Sequence, residues 1–353
     1  MNIPPVDRAD LRARVEKALA GFVGRQRARL AAMEPALVPV GAALEEFVLN
    51  GGKRLRPAFA YWGYRGAGGR DSDELVATVA ALEFVQAAAL IHDDVMDGSD
   101  TRRGRPSVHR RFADMHVAAG WRGEPDGFGA AAAILLGDLA LVWSDELLHG
   151  GGLDPATIAR ARPVYDEMRT ELMAGQYLDV LGQATGDVSV GWAGKVARYK
   201  SAKYTVERPV LFGAALAGAG TGLAAAYSGY GLPLGEAFQL RDDILGVYGD
   251  PAMTGKPAGD DLREGKRTYL VATALAGADP ARRAALERGL GNPAADIDEL
   301  RRIIADTGAL AATERRIDEL TAQALAAIGN AELDAEAAGV LTDLARAATQ
   351  RSR

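Results

Sequence analysis

The 353-residue chain contains no cysteine, so neither a disulfide framework nor a thiolate metal centre can hold it together. That composition fits a cytoplasmic protein. Aromatic residues make up only 6% of the chain and β-branched runs are scarce, whereas Ala and Leu abound, a balance that favours helix over strand. Hydrophobic residues still reach 48%, enough for a sizeable core without staples. The four histidines, His92, His109, His116 and His149, stand at no zinc-ligand spacing. A basic excess is also missing. Lys and Arg number 41 against 47 Asp and Glu, a net charge of -6, which argues against nucleic acid as a partner. Met1 to Leu19 lack the apolar core of a signal peptide. The longest weakly polar stretch, 209–227, is rich in Ala and Gly and reads as a buried or subunit-facing helix, so no transmembrane segment is expected.

What is present is helical periodicity. Helices are expected over 15–32, 36–49, 75–95, 130–148, 155–181, 192–204, 234–247 and 268–276, with 75–95 apolar almost all round. Three or four charged amphipathic helices are expected over 280–347. Gly- and Pro-bearing breaks separate these segments, none resembles an interdomain linker, and no segment alternates as a strand would. The expectation is one all-α domain spanning 1–353, with a motif-bearing core at about 45–270.

Two aspartate pairs carry most of the chemical information. Leu90-Ile91-His92-Asp93-Asp94-Val95-Met96-Asp97 is followed by Asp100-Thr101-Arg102-Arg103-Gly104. Phe238-Gln239-Leu240-Arg241-Asp242-Asp243-Ile244-Leu245 is followed by Lys256 and Lys266. Asp93 and Asp97 are four apart, so they share a helix face. Carboxylates so placed repel unless a cation intervenes, and near a helix C-terminus they also oppose the macrodipole. A hard oxygen-binding ion, above all Mg²⁺, is the usual answer, and it brings phosphate with it. The neighbouring arginines and lysines suit phosphate oxygens. The pattern therefore points to a Mg²⁺–diphosphate site between two facing helices.

Gly51-Gly52-Lys53-Arg54-Leu55-Arg56-Pro57 places cations at a helix start, where the dipole disfavours them. Lys53 and Arg56, three apart, are expected to clamp a phosphate from one face. Lys200 and Lys203, in Tyr199-Lys200-Ser201-Ala202-Lys203-Tyr204, are a weaker signal, since such a segment is usually a surface helix. Gln176 and Asp179 are polar residues in an apolar helix and need partners if buried. His92 is expected to pack or hydrogen-bond locally.

Taken together, GGKRLRP, LIHDDVMD with DTRRG, GDLAL, GQYLD, YKSAKYT, FQLRDDILG and GKPAGDDLREGKRT resemble the polyprenyl synthetase family of trans-prenyltransferases, over residues 51–268. The resemblance implies an all-helical bundle of the isoprenoid synthase type with a central cavity, usually a homodimer. It implies a Mg²⁺-dependent condensation of isopentenyl diphosphate with an allylic diphosphate (dimethylallyl, geranyl or farnesyl) by ionisation, addition and proton loss.

Carried over by position, Asp93 and Asp97 would hold two of three Mg²⁺ ions and Asp242 the third, with Asp94 and Asp243 in support. Lys53, Arg56, Gln86 and Arg103 would hold isopentenyl diphosphate. Arg102, Lys200, Lys256 and Lys266 would grip the allylic diphosphate, and Gln239 and Ser201 would line the reacting centre. Relatives usually carry His at 86, Thr at 201 and a further Asp where Gly246 stands. The last change removes a carboxylate one turn from Asp242, and Asp250 could compensate through water.

Small residues at Ala88 and Ala89 below the first motif leave room for a growing tail. Phe84 lies one turn below Ala88, about 5.4 Å along the axis, as a floor. A twenty-carbon product, geranylgeranyl diphosphate, is expected, against a farnesyl or longer-chain alternative. A class I terpene cyclase would share the first motif but has no use for the second diphosphate clamp. A non-catalytic subunit of a heteromeric synthase would have lost motif residues that are present here.

Overall fold

A computed structural model describes residues 5–186, 189–250 and 259–350; Lys256 lies outside them. In chain order the helices are α1 (Leu11–Met33), α2 (Val38–Leu49), α3 (Leu55–Gly66), α4 (Asp73–Ala80) and α5 (Leu82–Met96). A two-residue hairpin, β1 (Thr101–Arg102) and β2 (Arg105–Pro106), precedes α6 (Val108–Ala119), α7 (Pro125–Gly150), α8 (Pro155–Thr185) and α9 (Val190–Val196). A π-helical segment, Ala197–Glu207, leads into α10 (Arg208–Ala217) and α11 (Thr221–Tyr248). The remainder is α12 (Asp260–Arg263), α13 (Tyr269–Gly277), α14 (Pro280–Gly289), α15 (Ile297–Asp306), α16 (Ala309–Gly329) and α17 (Ala335–Thr349). The all-α expectation holds, with the hairpin the one strand pair among the described residues.

Helix starts follow local chemistry. Ser72, Asp154, Asp279, Asp296 and Asp334 each cap a helix through the side chain, satisfying amide donors that have no partner within the helix. Three expected helices are corrected. The segment 75–95 is interrupted at Ala81, whose carbonyl accepts instead from Ser144 Oγ on α7 at 2.6 Å. The stretch 209–227 is two helices, parted where Gly218 turns at φ 75°. The segment 192–204 divides into α9 and the π-helical turns.

The apolar side chains form two clusters, and α11 belongs to both. Its Tyr227, Tyr230 and Leu234 pack into the main core with α1, α3, α5, α7, α8 and α10. Its Ala237, Leu240, Ile244 and Val247 pack with α13, α15 and α16. The second aspartate pair is thus carried by a helix fixed on two sides.

Candidate active site

Helix α5 ends in the first acidic run. The Asp97 amide still donates to the Asp93 carbonyl (2.8 Å) and the Ser99 amide to the Asp94 carbonyl (2.9 Å), while Gly98 at φ 63° makes the left-handed closing turn. Asp93 and Asp97 therefore stay one turn apart. Asp94 is turned inward, fully buried, and accepts from Arg102 Nε at 2.9 Å and from a terminal guanidinium nitrogen. Arg102, expected on the allylic diphosphate, is tied to Asp94 and lies 3.8 Å from Asp93. His92 reaches further than a local contact: its Nε2 donates to the Ile134 carbonyl on α7 at 3.0 Å. Gly137 makes this possible, since a Cβ there would lie 2.1 Å from Nε2.

Lys200 joins three elements. Its Nζ donates to Asp93 Oδ1 at 2.9 Å and to Asp179 Oδ2 at 2.6 Å, while Gln176 Nε2 donates to Asp93 Oδ1 at 2.9 Å. Burial alone would raise the Asp93 carboxyl, but Lys200, Lys266 and Arg102 hold it down to about 2. Burial works against the Lys200 charge as well, yet Asp93, Asp179 and Asp97 raise its pKa above the ordinary lysine value. Gly175 lets α8 close on this segment: a Cβ there would lie 2.2 Å from the Lys200 nitrogen.

Behind it, Lys203 pairs with the buried Glu171, which Arg208 also grips at 2.6 and 2.8 Å. Helical turns with i→i+5 bonds are rare and gather at functional sites. This ion cluster holds them in place. Glu171 was missed in the sequence; its signal was an acid on the apolar side of α8. Gln176 and Asp179 find the partners their position demanded.

The second motif lies on α11. Asp243 is buried and accepts from Gln239 Nε2 (2.8 Å) and from the Tyr269 amide (3.2 Å). Burial, with the charges of Asp261 and Asp242, pushes it up to about 7 despite those two hydrogen bonds. Asp242 beside it is half-buried. Asp97 is raised too, because burial and the Asp93 charge outweigh Lys266 Nζ at 3.1 Å. Lys266 Nζ also stands 2.7 Å from Glu264 Oε2 and 3.9 Å from Asp261 Oδ1, and so links the first motif to the loop after the second.

Carboxylates that raise one another mark a surplus of negative charge that a cation would relieve. Among the described residues no three such groups converge as a ready chelate; Lys200 pairs with Asp93 and Lys266 with Asp97 instead. An all-oxygen donor set that leaves positions for diphosphate oxygens fits Mg²⁺.

The basic side is built differently from expectation. Lys53 lies in the loop before α3, so its spacing to Arg56 does not put the two on one helix face. Arg56 is buried, donates to Thr205 Oγ1 at 2.9 Å, and stacks 4.0 Å over the Tyr204 ring. Arg54 is buried against Glu83 at 2.6 Å. Arg103 and Gly104 both take positive φ, 54° and 72°, as a two-residue hairpin turn requires. Arg103 then donates to the Asn50 carbonyl at 2.9 Å, bringing the Arg102-Arg103 turn onto the glycine loop.

Burial, together with Arg54, Arg102 and Arg56, pushes the Arg103 guanidinium below its ordinary value despite Glu83. Such a surplus of positive charge calls for an anion. A cavity of about 500 Å³ borders the hairpin, lined by Phe47, Asn50, Arg102 and Arg103 among others. Ser201 and Gln86 are half-buried.

Below the first motif, the open side of α5 carries Gln86, Ala89 and Leu90, each half-buried. Ala88 and Phe84 are on the packed side and have no exposed surface. The Phe84 ring lies 5.3 Å from Phe22 and 6.1 Å from Trp143, both edge-on. Of the two small residues below the first motif, Ala89 is thus the one with accessible surface.

Two acidic motifs, lysines paired to the first of them and an arginine-rich turn suit a helical enzyme for diphosphate esters. Residues 39–307 match the polyprenyl synthetase family. The chain is 37% identical over 281 residues to geranylfarnesyl diphosphate synthase of Aeropyrum pernix, covering 78% of this chain and 82% of that protein. It is 33% identical to geranylgeranyl diphosphate synthase of Mycobacterium tuberculosis, covering 80% and 76%. The crystal structure of geranylgeranyl pyrophosphate synthase from Corynebacterium glutamicum, complexed with isoprenyl diphosphate and magnesium, superposes with a TM-score of 0.94 at 41% identity, covering both chains fully. The chain belongs to the polyprenyl synthetase family and is a trans-prenyltransferase.

Proposed function

We propose that the chain condenses isopentenyl diphosphate with an allylic diphosphate, using Mg²⁺ held by Asp93, Asp97 and Asp242, and releases a twenty-carbon diphosphate. The observation that carries this reading is the separation of charge. Asp97 and Asp243 are raised by burial with crowded carboxylates beside them, while Arg103 is depressed by burial with crowded guanidiniums beside it. One side suits cations and the other suits an anion. Bound Mg²⁺ would neutralise the allylic diphosphate as its C–O bond breaks. Lys200 and Lys266, poised on Asp93 and Asp97, would grip the same diphosphate, with Lys256 as a further cation. Arg103, with Lys53, Arg56 and Gln86, would hold the second substrate at the glycine loop. Gln239 and Ser201 would line the space between.

The twenty-carbon proposal is supported by the small side chain of Ala89 on the half-buried face of α5 below Asp93. Purified protein given isopentenyl diphosphate, a primer and Mg²⁺ should release pyrophosphate stoichiometrically with condensation. Pyrophosphate release from the allylic substrate without incorporation of isopentenyl diphosphate would overturn the reading in favour of a cyclase.

A homodimer and a cytoplasmic setting belong to the same reading. Helices α4–α5 and α7 are each long and apolar enough to cross a membrane. The first is 72% buried over that stretch and spends its apolar surface inside the fold. The second, 39% buried, exposes Ile134, Leu135 and Val142, and α8 exposes Met173, Tyr177 and Val180, apolar surface suited to a second copy. Light scattering without detergent should give twice the chain mass of 37.1 kDa. A monomer, or protein recovered only with lipid, would contradict the dimer.

A further inference from the structure

Glu171 of α8 is buried and gripped by two cations five residues apart in the chain. Lys203 Nζ pairs with its Oε1, and Arg208 donates to Oε2 through Nε at 2.6 Å and to Oε1 through Nη2 at 2.8 Å. On an α-helix, residues five apart point about 140° away from each other, onto different faces. Turns closed by i→i+5 bonds stack them instead. The backbone agrees with the side chains, because the Arg208 amide donates to the Lys203 carbonyl. One carboxylate thus closes from outside the same turn that this bond closes from within. Two glycines of α11 admit the wider coil. A Cβ on Gly231 would lie 2.6 Å from Glu207 Cα, and one on Gly235 would lie 2.4 Å from the Ala202 carbonyl oxygen. The segment so held faces both sides of the site. Lys200, just before the closed turn, reaches Asp93 and Asp179. Tyr204 and Thr205, inside it, hold Arg56, whose guanidinium stacks on the Tyr204 ring and donates to Thr205 Oγ1.

We propose that Glu171 is a positioning residue: pinched between Lys203 and Arg208, it selects the π-helical register of Ala197–Glu207 and so sets Lys200 and Arg56 for the two diphosphates at once. The inference rests on the substrate roles given above to Lys200 and Arg56. A two-point latch fails when either point is lost, so Lys203→Met, Arg208→Met and the double variant should be impaired alike. Were the two cations only counter-charges for a buried acid, either could serve alone, and the single losses would be small. A double-mutant cycle separates these cases.

The test joins steady-state kinetics to amide hydrogen exchange on the full chain. Glu171→Gln keeps the shape of the side chain and removes its charge. It should lower kcat about a hundredfold, the scale of loss when positioning groups shift by an ångström, and raise KM for both substrates. Exchange should quicken across residues 197–207 while α11 stays protected, a change visible without turnover. The triple variant Glu171→Met, Lys203→Met, Arg208→Met leaves no charge of the trio unpaired, so it keeps the fold and should show the same kinetic loss. Glu167, exposed one turn away on α8 and 3.7 Å from Arg208, is the control, and Glu167→Gln should match the parent throughout. A Glu171→Gln variant that melts earlier yet keeps the parent's kcat, KM and exchange pattern overturns the positioning role alone. Single cation variants that behave as the parent, with only the double impaired, do the same. A parent that condenses nothing overturns the substrate reading and the positioning role with it.

Discussion

Lys200 stands between two carboxylates from different helices, 2.9 Å from Asp93 on α5 and 2.6 Å from Asp179 on α8. Its ammonium offsets the Asp93 charge and, on the proposed reading, grips the allylic diphosphate. Replacing Lys200 with Ala should lower kcat by about two to three orders of magnitude, the usual loss of a preorganised charge donor. The KM for the allylic substrate should rise with it. Asp179→Asn should cost far less, because Asp93 still holds the lysine. Steady-state kinetics with varied primer would separate the two, and equal losses would contradict the assignment.

Chelation should abolish condensation, and Mg²⁺ should restore it. Asp93→Asn and Asp97→Asn should each leave a folded protein that needs more Mg²⁺. Asp94→Asn should act differently, loosening Arg102 and lowering the melting temperature, because Asp94 is a buried ion-pair partner. A Mg²⁺ titration of activity alongside thermal melting checks all three.

The metal-free protein should show a pH signature from Asp243. Its folded pKa, about 7, lies above the ordinary value of 3.8, so the folded state favours the protonated form. The stability it contributes is full below about pH 4 and is lost as pH rises towards 7. Asp93, held at about 2, behaves oppositely, and its contribution is lost only as pH falls below the ordinary carboxylate range. Urea unfolding in chelator between about pH 4.5 and 8 should therefore show stability falling more steeply in the parent than in Asp243→Asn. Parallel slopes would contradict this.

Product length should respond to Ala89 rather than Ala88. Ala89→Phe places a ring on the open face of α5 and should shift the product to fifteen carbons in a stable protein. Ala88→Phe inserts the same ring into sealed packing and should cost about 1–3 kcal/mol of stability. Chromatography of the dephosphorylated products and thermal melts of both variants distinguish these effects.

The helices and the aspartate faces were legible because periodicity and carboxylate spacing are local properties. Asp93 and Asp97 follow from four-residue spacing alone. Lys200 reads weakly because its segment has the pattern of an ordinary surface helix, and the π-helical turns depend on Glu171, Lys203 and Arg208 meeting across α8 and α10. The face-sharing argument for Lys53 and Arg56 failed because α3 starts only at Leu55. The burial of Ala88 was not legible for another reason: which side of an apolar helix borders open space depends on neighbours such as Phe22 and Trp143, which pack on Phe84.

The most direct test is incubation of the purified chain with Mg²⁺, labelled isopentenyl diphosphate and, in turn, dimethylallyl, geranyl or farnesyl diphosphate, with products resolved by carbon number. The account predicts a dominant twenty-carbon diphosphate from every primer. No elongation with any of the three would contradict it.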